Sequence, residues 1–155
     1  MKRALALLAL LWLCPWSAFA QTKEETIAFI KNEYRSFEKK EYMYKEIYFS
    51  PAGDAFTLRR SAQKRKDYLI TFQLGDVDIY MVTVNHPNAV NQYRLMVRTR
   101  GREGSIAKDG NRFVGELKIS PSMNNEKKCL ALERAFTRLT TLTTGRKFLF
   151  YDPVK

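Results

Sequence analysis

Residues 68–84 read YLITFQLGDVDIYMVTV, and this segment decides the predicted fold. Its first half alternates strictly, and one of its two faces carries only apolar side chains, namely Tyr68, Ile70, Phe72 and Leu74. Alternation of this kind is typical of a β-strand that buries one face against a core. A second apolar run, 77–84, follows Gly75 and Asp76, a two-residue connection that fits a tight hairpin. The segment therefore predicts an antiparallel pair of strands near the middle of the chain.

Further strands are predicted on both sides of this segment. The aromatic-rich run 42–49 and the short run 56–58 are separated by Pro51-Ala52-Gly53, a typical turn sequence. Downstream, apolar residues alternate over 90–100, and the runs 105–107 and 113–119 flank Asp109-Gly110, a strong hairpin signal. We therefore expect about seven antiparallel strands joined mainly by hairpins.

Two amphipathic helices are predicted, one before and one after the strands. Thr22 and Glu25 form a capping-box pattern, and the helix that they begin is expected to end near Lys40. The second helix follows Pro121 and ends at Gly145, where a helix cap favours glycine. Its apolar residues lie along one stripe, which carries Cys129, Leu132, Phe136, Leu139 and Thr143. The predicted fold class is α+β, with the C-terminal helix packed on the sheet.

The order of these elements leaves two architectures open. About seven meandering strands followed by one C-terminal helix resemble the element order of the pleckstrin-homology superfold, which implies a bent barrel plugged by that helix. The alternative is one curved antiparallel sheet that holds both helices on its concave face. The resemblance rests on element order alone, so no binding residue follows from it.

Residues 1–20 have the organisation of a secretion signal peptide. A charged start at Lys2-Arg3 precedes an apolar run over 4–13 and the small-residue ending Ala18-Phe19-Ala20. The run is shorter than the roughly 20 residues that span a bilayer. We therefore expect cleavage near Ala20, no transmembrane segment in the product, and one domain of residues 21–155 in the periplasm or outside the cell.

The charge balance indicates an acidic partner. The chain has 27 basic and 16 acidic residues. Cleavage of the predicted signal peptide would remove two basic residues, leaving 25 basic and 16 acidic residues and a net charge of +9. Such a charge concerns partners and association, and not the fold. The expected partners are a protein with an acidic surface or, alternatively, anionic lipid or lipopolysaccharide. The predicted compartment argues against nucleic acid.

The sequence contains few residues of the types that usually serve as nucleophiles or general bases. After cleavage it would retain one histidine, His86 in a predicted turn, and one cysteine, Cys129 on the inward stripe of the last helix. Cys129 is expected to be a buried apolar residue, with an intermolecular disulfide as the alternative. Ligand spacing for a metal and phosphate-cradling loops are both missing from the sequence. We expect a protein that is not an enzyme and has no cofactor. A catalytic alternative would need a pair of acids converging in a cleft.

Basic and aromatic residues mark the candidate binding surface. Alternation places Arg94, Arg98 and Arg100 on one face of a strand, although Asp78 on a neighbouring strand could pair with them. Guanidinium groups suit carboxylate and phosphate. A hairpin carries further cations, and the first strand carries tyrosines beside Glu46. These additional candidates are Arg59, Arg60, Lys64, Arg65, Lys66, Tyr44 and Tyr48.

Two functions remain open from the sequence. The first is a non-catalytic exported protein that engages a protein partner through this basic, aromatic-bearing face, as inhibitors and immunity proteins do. The second is a domain that binds a small ligand, a lipid or an envelope polyanion in an apolar pocket. These two functions differ in whether Phe72, Tyr80 and Val82 pack tightly against the helices or leave a cavity.

Overall fold

A computed structural model describes residues 22–38, 44–62, 65–85, 87, 90–100 and 105–146. The predicted signal peptide, Lys64 and His86 lie outside the described residues. The fold is α+β, as predicted. In chain order its elements are α1 (Lys23–Glu38), β1 (Tyr44–Phe49), β2 (Ala55–Ala62), β3 (Arg65–Gln73), a 3-10 turn (Leu74–Asp76), β4 (Val77–Val84), β5 (Gln92–Thr99), β6 (Ile106–Lys108), β7 (Asn111–Phe113), β8 (Glu116–Lys118) and α2 (Glu126–Thr144).

The strands form two antiparallel sheets. The first has five strands in the order β1-β2-β3-β6-β7, and the second has three in the order β4-β5-β8. The described strands do not close into a barrel, so the bent-barrel prediction is wrong in this respect. The single curved sheet is also replaced by two sheets, and both helices contribute to the core that the sheets share.

The predicted hairpin between 68–74 and 77–84 is wrong. β3 pairs with β6 instead, and β4 pairs with β5. The reason lies in the connection, because Leu74 is buried and anchors a 3-10 turn that carries the chain from the first sheet to the second. Gly75 fits closely against α2, since a Cβ at this position would lie 3.2 Å from Thr144 Cγ2. The turn is thus a packed crossover rather than a solvent-exposed hairpin loop.

The predicted strand 113–119 is divided between the two sheets, so the described residues contain eight strands instead of about seven. β7 ends at Phe113 in the first sheet and β8 begins at Glu116 in the second. Gly115, between them, has φ of 130°, a conformation that favours glycine. By contrast, the Asp109-Gly110 hairpin is confirmed, with φ of 52° and 79° as a type I′ turn requires.

Both predicted helix starts are capped by side chains. In the capping box of α1, Thr22 N donates to Glu25 Oε2 at 2.8 Å and Glu25 N donates to Thr22 Oγ1 at 3.2 Å. Asn125 caps α2 by accepting from Lys128 N, and the helix ends at Gly145 with φ of 69°. These caps satisfy backbone groups that a helix leaves unpaired at its ends.

An aromatic cluster joins the helices to the first sheet. The ring of Phe56 lies 5.9 Å from Tyr34 of α1, 5.3 Å from Phe72 of β3 and 5.2 Å from Phe136 of α2. Tyr34 also donates a buried hydrogen bond of 2.6 Å to the carbonyl of Ile119. The helices and the inner faces of the sheets are thus packed together in one core.

Candidate functional site

The outward face of the three-stranded sheet contains the predicted arginine strand. On β4 and β5, Ile79, Met81, Leu95 and Val97 contact the core. Strand alternation places the intervening residues on the opposite face. We name this surface the arginine face; it consists of Asp78, Tyr80, Val82, Arg94, Met96, Arg98, Glu116 and Lys118.

Arg98 is held between two acidic residues. It stands opposite Asp78 on one side and Glu116 on the other. Its guanidinium nitrogens lie 3.8 Å from Asp78 Oδ2 and 3.8 Å from Glu116 Oε1. Its Cζ also lies 5.3 Å from the centre of the Tyr80 ring, within range of a cation–π contact. The charge of Arg98 is therefore compensated within the protein.

Arg100 has a structural contact of its own. It follows the end of β5, and its Nε donates to Asp78 Oδ1 at 2.6 Å. Its Nη1 donates to the carbonyl of Gly75 at 3.4 Å, which joins the end of β5 to the crossover turn. Asp78 thus pairs with both Arg98 and Arg100, as the sequence left open. The arginine strand is consequently not one uncompensated row of cations.

Arg94 differs from the other two arginines. Its cross-strand partner is the aliphatic Val82, and it makes no ion pair within the described ranges. Its Nε is buried and has no hydrogen-bond partner there. A buried donor without a partner costs roughly 1–3 kcal/mol, so such groups are uncommon in folded proteins. Arg94 is therefore the arginine of this strand whose charge is not compensated by a carboxylate of the described residues.

Tyr80 and Met96 lie between Arg98, which pairs with carboxylates, and Arg94, which does not do so among the described residues. They stand opposite each other, and both are half-buried. Burial, followed by the hydrogen bond to Glu116, raises the pKa of Tyr80 to about 12. Tyr80 therefore remains a neutral phenol at physiological pH. Together with Val82 these side chains provide an apolar surface beside Arg94. Met96 is not among the binding residues that the sequence predicts.

The other predicted basic and aromatic residues belong to the five-stranded sheet. Arg59 Nε lies 3.6 Å from Glu46 Oε2, and Tyr48, which is 51% exposed, donates a hydrogen bond to the same carboxylate. Arg60 lies over the ring of Tyr68. Of three further candidates the structure describes the backbone alone, within β1 and β3; these are Tyr44, Arg65 and Lys66. The predicted residues thus fall on two sheets and do not form one site.

Cys129 lies in an environment that lowers the reactivity of its thiol. Cys129 is buried in α2, and burial, followed by the charge of Glu133, raises the pKa of its thiol to about 12.

Among the described residues no group of three or more histidine, cysteine, aspartate and glutamate residues could hold a metal ion. Neither described helix combines the length and apolarity that a membrane span needs.

Phe72, Tyr80 and Val82, whose packing was to distinguish a pocket-forming protein from a partner-binding one, do not lie on one surface. Phe72 is buried in the core, whereas Tyr80 and Val82 lie on the arginine face, away from α2. Their packing therefore does not distinguish a pocket-forming protein from a partner-binding one. A cavity of about 330 Å³ does exist elsewhere, between the end of α1 and the start of α2. Lys128 lines it, but its ammonium already contacts Glu33 at 2.9 Å and Ser36 at 3.0 Å.

Comparison of the chain with protein-family models, with curated proteins and with solved structures finds no match.

Proposed function

We propose that this chain is an exported, non-catalytic binding protein that engages an acidic partner protein through the arginine face. The observation that carries the proposal is Arg94, whose guanidinium has a buried Nε without a partner and an aliphatic cross-strand neighbour. Because this guanidinium has no ion pair among the described residues, a carboxylate from another protein could accept two parallel hydrogen bonds from it.

The surroundings of Arg94 support a protein as the partner. Tyrosine, methionine and arginine are enriched in protein interfaces relative to the rest of a protein surface. Tyr80, Met96 and Arg94 occur together on adjacent strands, where the backbone is held by cross-strand pairing. A sheet positions such side chains without the ordering cost that a flexible loop would incur on binding.

The charge of the chain supports an acidic partner. The formal net charge is +11 for the full chain and would be +9 without the predicted signal peptide, and a large net charge of one sign accelerates association with a molecule of the opposite sign. Inhibitors and immunity proteins that cover acidic clefts are the class of partner-binding protein that this chemistry fits best. The pleckstrin-homology-like element order stays a prediction, and the proposal does not depend on it.

The proposal is tested by a crosslinking pull-down from an envelope extract of the source cells. The bait proteins are the wild type, Arg94→Glu and the control Arg112→Glu, which makes the same charge change at an exposed residue of β7. We expect one protein to be recovered by the wild type and by the control, and to be lost with Arg94→Glu. Equal loss with both variants would show a response to net charge alone and would contradict the proposal.

A further inference from the structure

The end of α1 and the segment that leads into α2 border a cavity of about 330 Å³. Ser36 and Phe37, in the last turn of α1, line one part of it, and residues 121–125 and Lys128 line the rest. The volume lies at the lower end of the range of about 300–1,000 Å³ that ligand sites occupy. The cavity is therefore large enough for one small ligand.

The segment 121–125 is held in place by contacts with β5 and α2. Met123 N donates to the carbonyl of Tyr93 at 2.7 Å, and Tyr93 N donates to the carbonyl of Met123 at 2.8 Å. Asn125 Oδ1 accepts from Lys128 N at 3.0 Å and so caps α2. This part of the cavity is thus preformed, and a ligand would not incur the cost of ordering it.

The charges beside the cavity are balanced within the protein. Lys128 Nζ lies 2.9 Å from Glu33 Oε2 and donates to Ser36 Oγ at 3.0 Å. It also lies 5.2 Å from the centre of the Phe37 ring, within range of a cation–π contact. A charged ligand would have to displace one of these contacts or lie beside a charge of its own sign. The cavity therefore favours an uncharged ligand.

Hydrogen-bonding groups remain unused on the segment that leads into α2. The side chains of Ser122 and Asn124 make no hydrogen bond within the described part of the chain, and Asn125 uses only its amide oxygen, as the helix cap. These groups include both donors and acceptors. Since each hydroxyl of a ligand both donates and accepts, a compound with several neighbouring hydroxyls matches them well.

The cavity also has an apolar lining, which Phe37, Pro121 and Met123 provide. We infer that the cavity binds one ring of an uncharged sugar, whose carbon–hydrogen face packs on these residues while its hydroxyls bond to Ser122 and Asn124. An N-acetylhexosamine matches best, because its methyl group adds buried apolar area and its amide can pair with the Asn124 amide. None of these residues belongs to the arginine face, so the inference does not depend on the proposed function.

The test is an NMR titration of the isotope-labelled protein with N-acetylglucosamine, in which the amide signals of the cavity residues are followed. For a ligand of this size we expect a Kd of about 1 mM. Glucosamine, which is a cation, and glucuronic acid, which is an anion, should bind about tenfold more weakly. Equal binding of either charged sugar, or shifts confined to residues outside the cavity, would overturn the inference.

The trisaccharide of N-acetylglucosamine distinguishes a free sugar from the end of a polysaccharide. Affinity equal to that of the single sugar would assign the site to a chain end, and exclusion of the trisaccharide would assign it to a free sugar. Either result supports a sugar site. Arg94→Glu should leave sugar binding unchanged, so a failure of this inference and a failure of the proposed protein interface are distinguishable.

Three variants test the position of the sugar. Asn124→Ala should weaken binding of N-acetylglucosamine about fivefold, because it removes a hydrogen bond to the ligand. Ser122→Leu fills the cavity and should abolish binding. The control Asn85→Ala removes the same amide from an exposed residue outside the cavity and should bind as the wild type does.

The amide spectrum of each variant, recorded before the sugar is added, shows that a loss of binding is not a loss of folding. Equal weakening by Asn124→Ala and Asn85→Ala, or unchanged binding by a folded Ser122→Leu protein, would contradict the sugar site.

Discussion

Arg94 stands directly opposite Val82, whereas Arg98, four residues later on the same strand face, stands opposite Asp78. Arg98 therefore has a carboxylate within the protein, and Arg94 has an aliphatic neighbour and a buried Nε without a partner. Two arginines with the same position in the strand repeat thus have different roles. Arg98 pairs within the sheet, and Arg94 is the residue to which the proposed function assigns binding.

Asp78→Asn is expected to destabilise the three-stranded sheet. The substitution removes the charge that pairs with Arg98 and with Arg100, whose Nε lies 2.6 Å away. Exposed ion pairs contribute up to about 1 kcal/mol, and this half-buried, shared carboxylate belongs at the upper end of that range. Urea denaturation should therefore show a loss of about 1 kcal/mol in the free energy of unfolding.

Glu46→Gln is the matched control for this measurement. It weakens the more exposed pair between Glu46 and Arg59, whose atoms are 3.6 Å apart, and should cost less than about 0.5 kcal/mol. If both substitutions had the same small effect, Asp78 would not have the structural role described here.

Tyr80 is expected to ionise well above the ordinary range of tyrosine. Burial and Glu116 raise its pKa to about 12, so its neutral form is favoured in the folded protein. Stability from this group is present below pH 10 and is lost as the pH rises toward 12. NMR titration of the ring carbon that bears the hydroxyl measures this pKa. Glu116→Gln should lower it by removing the negative charge, and a wild-type value near 10 would contradict the described contact.

Cys129 is expected to be unreactive in the folded protein. Its pKa of about 12 keeps the thiol protonated, and its burial in α2 denies access to reagents. A colorimetric disulfide reagent at pH 8 should react with this thiol only after unfolding in guanidinium chloride. Rapid labelling of the native protein would show that α2 opens at this position. By linkage, the stabilisation from this buried neutral thiol is lost as the pH rises from 9 toward 12.

Local sequence signals predicted individual elements better than their pairing. The capping box at Thr22, the helix end at Gly145 and the Asp109-Gly110 turn are set by neighbouring residues, and each is found in the structure. The turn at Gly75 was misassigned because its sequence suits a hairpin, while the burial of Leu74 in the shared core directs the chain into the second sheet. Burial of this kind depends on residues far apart in the chain and leaves no local pattern.

The candidate site was predictable in part for the same reason. Alternation was sufficient to place Arg94 and Arg98 on one face of β5. It could not show which arginine would be compensated, because that depends on the register that brings Asp78 opposite Arg98 and Val82 opposite Arg94. The cation–π contact between Lys108 and Tyr68, with Lys108 Nζ 4.7 Å from the centre of the ring, was not predicted, because β6 follows β3 by more than thirty residues and pairs with it only in the folded sheet.

Site-specific photocrosslinking from the centre of the arginine face tests the proposed interface most directly. A photoreactive amino acid replaces Met96 in the source cells and, as a control, replaces the exposed Leu69 on the outward face of the five-stranded sheet. We predict that one protein is crosslinked from position 96 and not from position 69, and that adding Arg94→Glu abolishes the product. A product that forms equally from both positions, or that persists unchanged with Arg94→Glu, would contradict the assignment of the arginine face as a protein interface.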